Sequence, residues 1–211
     1  MPKQVDHAAR REELARALWR VIVHKGVEGA SVRAVAQEAG WSAGALRYYF
    51  ATQDELLRFG VELQLQRIPA RIQTIAAQQP QGLARAVAVL EQLLPLDEER
   101  IAEARVWFAV LARAQVDAAL DDVRHQGWSG EAYLARGALC EILDRPWPQR
   151  IDDPLEPELE AEAEALRVFV DGLCLLGVNH PEDLPAERIR ELLARQVRAV
   201  SARLDGATAA P

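Results

Sequence analysis

Residues 31–57 read SVRAVAQEAGWSAGALRYYFATQDELL, and this stretch decides the fold. Ser31 stands where a helix N-cap belongs, with Val32, Val35, Ala36 and Ala39 forming one apolar stripe behind it. Gly40 supplies a residue that takes positive φ at little cost, as a tight turn requires. Ser42 is a second cap and opens a helix of about ten residues whose Ala43, Leu46 and Phe50 face inward. The opposite side then presents Ser42, Gly44, Ala45, Arg47, Tyr48 and Tyr49, an unusual amount of aromatic and cationic surface for so short a segment.

A helix, a glycine-bearing turn and a second short helix are spaced as a helix-turn-helix, whose second helix fits a major groove about 12 Å wide. Small residues at the start of that helix let its backbone approach the groove. The Ser42 hydroxyl and the first free N–H groups suit phosphate oxygens. Tyrosine hydroxyls donate well to phosphate, and the Arg47 guanidinium suits either a phosphate or a guanine edge.

The pattern extends outward in both directions. Upstream, Leu14, Ala17, Leu18, Val21 and Ile22 give a helical stripe that Gly26 and Gly29 end. Downstream, Thr52 with Glu55 three residues on forms a capping box for a fourth helix. That helix is expected to run to about Gln79, with a kink at Pro69. A fifth spans Leu83–Leu94 and is closed by Pro95. A sixth runs from Asp97 through Trp107 and Phe108 to about Gln115, and a seventh from about Asp117 to Leu143, with an interruption expected at HQGWSG. RPWPQRIDDPLEP, with its four prolines, reads as a loop. Two helices follow, about Glu158–Val178 and Pro185–Leu204, then a frayed DGATAAP tail. The expectation is an all-α protein of about nine helices, with a head over residues 1–52 and a body over 53–211.

The net charge of −7 is unevenly distributed. Residues 1–58 hold nine Lys+Arg and seven Asp+Glu, whereas the remainder holds sixteen and twenty-five. A mildly basic head on an acidic body points toward a polyanion partner for the head. No apolar run approaches the ~18 residues of a membrane helix, and LRVFVDGLCLLGV is broken by Asp171. The N-terminus lacks the apolar core of a secretory signal, so a cytoplasmic location is expected. Cys140 and Cys174 lie in apolar helical patterns and read as buried thiols, with a redox pair as the alternative. His7, His24, His125 and His180 are scattered, so no metal site is expected and no cofactor is called for. No nucleophile elbow, phosphate loop or dinucleotide fingerprint argues for an enzyme, and EPELEAEAEA reads as a solvated helical face.

Residues 31–57 resemble the DNA-binding segment of the tetracycline-repressor (TetR) family, and the likeness spans roughly residues 8–68, with the helix-turn-helix at 31–50. The resemblance implies a DNA-binding transcriptional regulator, by family default a repressor, acting as a homodimer on double-stranded operator DNA and released by a small-molecule effector. It implies DNA contacts from Ser31, Arg33, Ser42, Ala43, Gly44, Arg47, Tyr48, Tyr49 and Gln53. Three positions depart from the family pattern. Arg47 stands where tyrosine is common, Trp41 where a small apolar residue is usual, and Gln53 where a lysine often reaches a phosphate. Arg47, Arg33 and an arm of Lys3, Arg10 and Arg11 are candidate replacements for that cation, although Arg10-Arg11 also reads as a solvated pair and Trp41 as local packing.

In the body, Leu166, Val170 and Leu173 form one stripe, and Ile189, Leu193 and Val197 another. The resemblance makes them a dimer interface; the alternative is packing within one chain. Two copies of a recognition helix ~34 Å apart would read a palindromic site. Trp107, Phe108, Trp128, Tyr133 and Phe169, with Arg105, Gln115 and His125 as polar groups, are the candidate lining of a pocket for a largely apolar effector. PLDEERIAEARVWFAVLARA further resembles a sub-branch that includes repressors of choline–betaine pathways. The rival reading is a helical adaptor that keeps the fold without binding DNA.

Overall fold

The computed structural model describes residues 7–208. Nine α-helices follow one another among the described residues: α1 His7–Lys25, α2 Val32–Ala39, α3 Ala43–Arg47, α4 Gln53–Gln78, α5 Leu83–Leu90, α6 Glu98–Arg113, α7 Asp121–Ile142, α8 Pro157–Asn179 and α9 Ala186–Thr208. Short 3-10 turns at Glu91–Leu93 and Ala118–Leu120 extend α5 and introduce α7. The all-α expectation holds. Three details differ. α7 passes through Gly127 and Gly130 without a break. α4 stops at Gln78, one residue short of the expected end, and carries Pro69 inside it as expected. α9 continues through Asp205 to Thr208, where a frayed tail was expected; Ala209–Pro211 lie outside the described residues.

The chain forms two compact units. The first comprises residues up to Gln64 together with Ile101–Arg124, so it holds more than the three-helix head. Leu14, Leu18, Ile22, Val35, Leu46 and Leu57 are buried in it, as the spacing of each helix requires. The α6–α7 segment is fastened to the head by three arginines. Arg105 Nη1 donates to the Ile22 and Val23 carbonyls at the end of α1, 3.4 and 3.3 Å away. Arg58 binds Asp122 and the Ala119 carbonyl. Arg113 pairs with Asp54 at 2.7 Å. Gly60 lets Val106 approach: a Cβ at residue 60 would stand 3.0 Å from a Val106 methyl.

The second unit comprises Leu65–Arg100 and residues from His125 onward, with α9 packed on both α5 and α8. Leu166, Val170 and Leu173 of α8 and Ile189, Leu193 and Val197 of α9 are all buried within the single chain. They form the core of this unit, which corrects their assignment to a dimer interface: the two stripes face each other. Gly177 permits the approach, since a Cβ there would stand 2.6 Å from Ile189 Cδ1. Cys140 and Cys174 are free, buried thiols, and burial pushes Cys174 up to about 12. They act as small apolar residues.

The proline-rich loop after α7 is anchored by polar contacts. Trp147 lies against Gly137, and its indole N–H donates to the buried Glu141 carboxylate at 2.6 Å. The other Glu141 oxygen accepts from Arg85 Nε at 2.7 Å, so this buried charge is paired and hydrogen-bonded. Tyr133 packs edge-on against Trp147 and donates to the Pro148 carbonyl at 3.0 Å. Arg136 forks onto Glu160, which also accepts from Leu155 N at 3.0 Å.

Two consequences can be measured. Gly137→Ala places a Cβ 2.6 Å from three Trp147 ring atoms and must displace the indole; denaturant unfolding is expected to show a loss of about 1–3 kcal/mol. The Arg136 hydrogen bonds hold the Glu160 carboxyl below its ordinary 4.5. Its contribution is therefore complete above that value and disappears as pH falls through the folded-state pKa. Because the side chain is a third exposed, Glu160→Gln is expected to cost only on the order of 1 kcal/mol at pH 7, with wild type and variant converging in acid.

Candidate nucleic-acid interface

The head is assembled from hydrogen bonds that its sequence pattern anticipates. Ser31 Oγ accepts from Ala34 N at 3.2 Å and caps α2. Gly40 takes the left-handed conformation, φ 70° and ψ 22°. Its N–H bonds to the Gln37 carbonyl, and Trp41 N bonds to the Ala36 carbonyl at 2.8 Å, which is a Schellman closure. Ser42 Oγ accepts from Ala45 N at 3.1 Å and starts α3 one residue later. Each serine uses an oxygen lone pair for its cap and keeps its O–H proton for an outside acceptor.

α3 is shorter than the ten residues expected. It ends at Arg47, and Tyr49 and Phe50 both bond back to the Leu46 carbonyl. Leu46 is its buried anchor, burial worth roughly 1.5–3 kcal/mol for a side chain of this size. Phe50 is partly buried, 5.0 Å from the Phe59 ring. Ala43 was expected to face inward but is exposed, because a five-residue helix buries little more than one turn. With Gly44 and Ala45 it makes a low, open surface, and a Cβ at Gly44 would meet nothing within 4 Å.

The aromatic residues that follow stand outward. Tyr48 is 87 % exposed and Tyr49 40 %. They pack edge to face at 5.6 Å, and Tyr49 packs likewise on Trp41 at 5.9 Å. Trp41 in turn lies under the Arg10 guanidinium at 5.4 Å and donates to Glu13 at 3.4 Å. Trp41 is thus a packing residue that braces Tyr49 against α1.

The cations of the head separate into two groups. Arg11, Arg16, Arg20 and Arg58 pair with Glu62, Glu12, Glu38 and Asp122. Arg11 also lies over the Phe59 ring at 4.9 Å, so it is bound into the head and is not part of a free arm. Lys3 lies outside the described residues. Arg33 and Arg47 are exposed and have no ion-pair partner among the described residues. Gln53 does not stand out toward solvent: its Nε2 donates to the Val27 carbonyl at 2.8 Å and its Oε1 accepts from Arg113 at 3.3 Å. Its amide is satisfied at both ends inside the unit, which corrects its expected role as a phosphate contact.

The expected pocket residues are not brought together in one unit. Arg105, Trp107, Phe108 and Gln115 belong to the first, and His125, Trp128, Tyr133 and Phe169 to the second. Arg105 is committed to α1 carbonyls and Tyr133 to the Pro148 carbonyl. Gln115, His125 and Trp128 are exposed. Apolar spacing on α6 and α7 does not reveal these duties, since a side chain's partner lies elsewhere in the chain. The structure also reveals an apolar surface that the stripes concealed: Val168 is 62 % exposed on α8, and Leu175 and Leu176 are 50 % exposed. Gly172 lies between them with open space at its Cβ position. No described helix is long and apolar enough to cross a membrane.

Comparison with known proteins agrees with this geometry. Residues 14–58 match the family model of bacterial regulatory proteins of the tetR family. Residues 82–202 match that of the C-terminal part of BetI-type transcriptional repressors. The chain is 38 % identical to the HTH-type transcriptional regulator PksA of Bacillus subtilis, covering 95 % of this chain and 94 % of that one. A transcriptional regulator from Rhodococcus sp. Rha1, solved by crystallography, is 32 % identical with a TM-score of 0.72, covering 90 % of this chain and 95 % of that one. The multidrug binding protein EbrR, solved with imidazole, is 26 % identical with a TM-score of 0.57, covering 93 % of both chains. The chain belongs to the TetR family of DNA-binding transcriptional regulators.

Proposed function

We propose that residues 1–52 read a palindromic operator and that residues 53–211 dimerise and bind an effector whose arrival releases the DNA, so that the protein acts as a ligand-responsive repressor. The observation that carries the reading is the outward face of α3, where Arg47 and Tyr48 stand exposed on a helix whose start is fixed by Ser42 and whose anchor is Leu46. The contacts assigned are Ser31, Ser42 and Arg33 to phosphate, Ala43 and Gly44 against the groove floor, and Arg47, Tyr48 and Tyr49 to bases or backbone. A guanidinium at the end of α3 suits the O6/N7 edge of guanine. A helical adaptor has no use for two unpaired arginines beside a low, small-residue surface.

The dimer is assigned to the exposed side of α8, Val168, Gly172, Leu175 and Leu176, in place of the buried stripes. One α3 reaches only a few base pairs, so a second copy supplies the remaining affinity. In a C2 pair the same patch of each copy would meet its twin across the axis. The effector assigned is a small organic molecule with a substantial apolar part. That assignment is supported by the family and by EbrR, which has been solved with imidazole and with ethidium. Release requires the effector to prefer the DNA-incompetent state; shifting the population from 99:1 to 1:99 takes about 5.5 kcal/mol.

Binding to DNA upstream of the protein's own gene tests the reading. Arg33→Ala is expected to weaken all sequences alike and to lower the salt slope by about 0.9 unit. Arg47→Ala is expected to cost about 1–3 kcal/mol of discrimination at one position of each half-site. Wild-type binding that is neither salt-sensitive nor sequence-selective would favour the adaptor. Leu175→Arg places a charge on the α8 face and is expected to give monomers in sedimentation, with operator affinity falling at least tenfold; an unchanged dimer would remove α8 from the interface.

A further inference from the structure

Gln53 and Asp54 open α4 only three residues after Phe50, so whatever holds them also sets where the chain leaves α3. The grip comes from α6. Arg113, at its last position, directs Nη1 to Asp54 Oδ1 at 2.7 Å and donates from Nη2 to Gln53 Oε1 at 3.3 Å. Gln53 passes the connection on, its Nε2 donating to the Val27 carbonyl at 2.8 Å in the turn between α1 and α2. One guanidinium, one carboxylate, one amide and one backbone carbonyl therefore form a single latch. It joins the end of α6, the start of α4 and the turn that carries α2. α3 lies between the last two.

We infer that Arg113 is a positioning residue for DNA recognition: it touches no nucleotide, and through Gln53 and Asp54 it holds α3 at the angle the groove requires. The inference rests on the proposal that α3 reads DNA. Two physical features support it. Arg113 makes one directional hydrogen bond, to Gln53 Oε1, and places its charge 2.7 Å from Asp54 Oδ1, which accepts no hydrogen bond, so a bond and an ion pair together hold the first two residues of α4. Asp54 also belongs to a first turn that carries two carboxylates, Asp54 and Glu55, and each is held by a contact. Glu55 is occupied by the Ala51 N–H at 2.5 Å, and Arg113 neutralises Asp54. Removing the guanidinium releases the start of α4, and with it the exit of α3.

The distinction from a merely structural arginine lies in which DNA complex is weakened. Specific binding requires the correct α3 angle, whereas non-specific binding requires only charge near the backbone. Fluorescence anisotropy with an operator duplex and a scrambled duplex, on the full-length protein, separates the two. Arg113→Ala is expected to weaken operator binding about tenfold while scrambled-duplex affinity changes no more than about twofold. Arg113→Lys, which keeps the pair with Asp54 and loses the fork, is expected to recover part of the ratio. Gln53→Met removes the amide without changing charge and should reproduce the loss. The double variant Arg113→Ala/Gln53→Met should then lose no more than the worse single variant, because both act through one latch.

The inference is overturned if Arg113→Ala lowers thermal stability while the operator-to-scrambled ratio is unchanged, if both duplexes weaken equally, or if the two single losses simply add. Should Arg113→Ala fail to fold, Gln53→Met decides alone by the same ratio. A wild-type ratio near one would instead overturn the proposal that α3 reads DNA, before any variant is compared.

Discussion

The left-handed turn at Gly40 is the constraint on which the head depends. α2 must stop after eight residues and α3 must leave at an angle that keeps Leu46 inside and Arg47 outside. A residue with a Cβ pays roughly 1–2 kcal/mol for that backbone conformation, and glycine avoids the cost. The turn then closes itself, with Trp41 N and Gly40 N bonding to the Ala36 and Gln37 carbonyls of α2 while Ser42 Oγ accepts from one amide of α3, that of Ala45. These backbone groups find their partners within the turn itself, so α3 can be short and still be held. Because its side chains are not needed for its own capping, they are left for a partner.

Charge is arranged on the same economy. Paired arginines hold helices together: Arg20 joins α1 to α2, Arg58 joins α4 to the start of α7, and Arg113 joins α6 to the start of α4. Within the head, Arg33 on α2 and Arg47 on α3 are exposed with no ion-pair partner among the described residues, and phosphate is expected there. A net charge of −7 therefore says little about what the head binds. Position decides, since an ion pair cancels a cation at long range while an exposed, unpaired one keeps its field.

Local rules made the head legible. Ser31, Gly40, Ser42 and Thr52 act on backbone groups within a few residues, and a sequence displays such contacts directly. Longer reach was harder to read. Gln53 looked outward because its position in α4 permits it, yet its amide is taken by Val27 and Arg113, the latter sixty residues away. Arg105 looked like a polar group of a cavity and Tyr133 like part of its aromatic lining, and both donate to backbone carbonyls instead. α8 carries apolar residues on more than one side, so periodicity found a buried stripe and could not tell that Val168, Leu175 and Leu176 form another, exposed one.

By itself the sequence determined the helices, their caps, the angle-setting glycine and the family pattern of the head, because each follows from hydrogen bonds and side-chain spacing over a few residues. Tertiary structure decided which of the cations remain free, which apolar side of α8 is covered, and how α6 and the first turn of α7 are bound into the same unit as α1–α3. Those outcomes depend on pairs of groups far apart in the chain, and burial or pairing exists only once both members have been brought together.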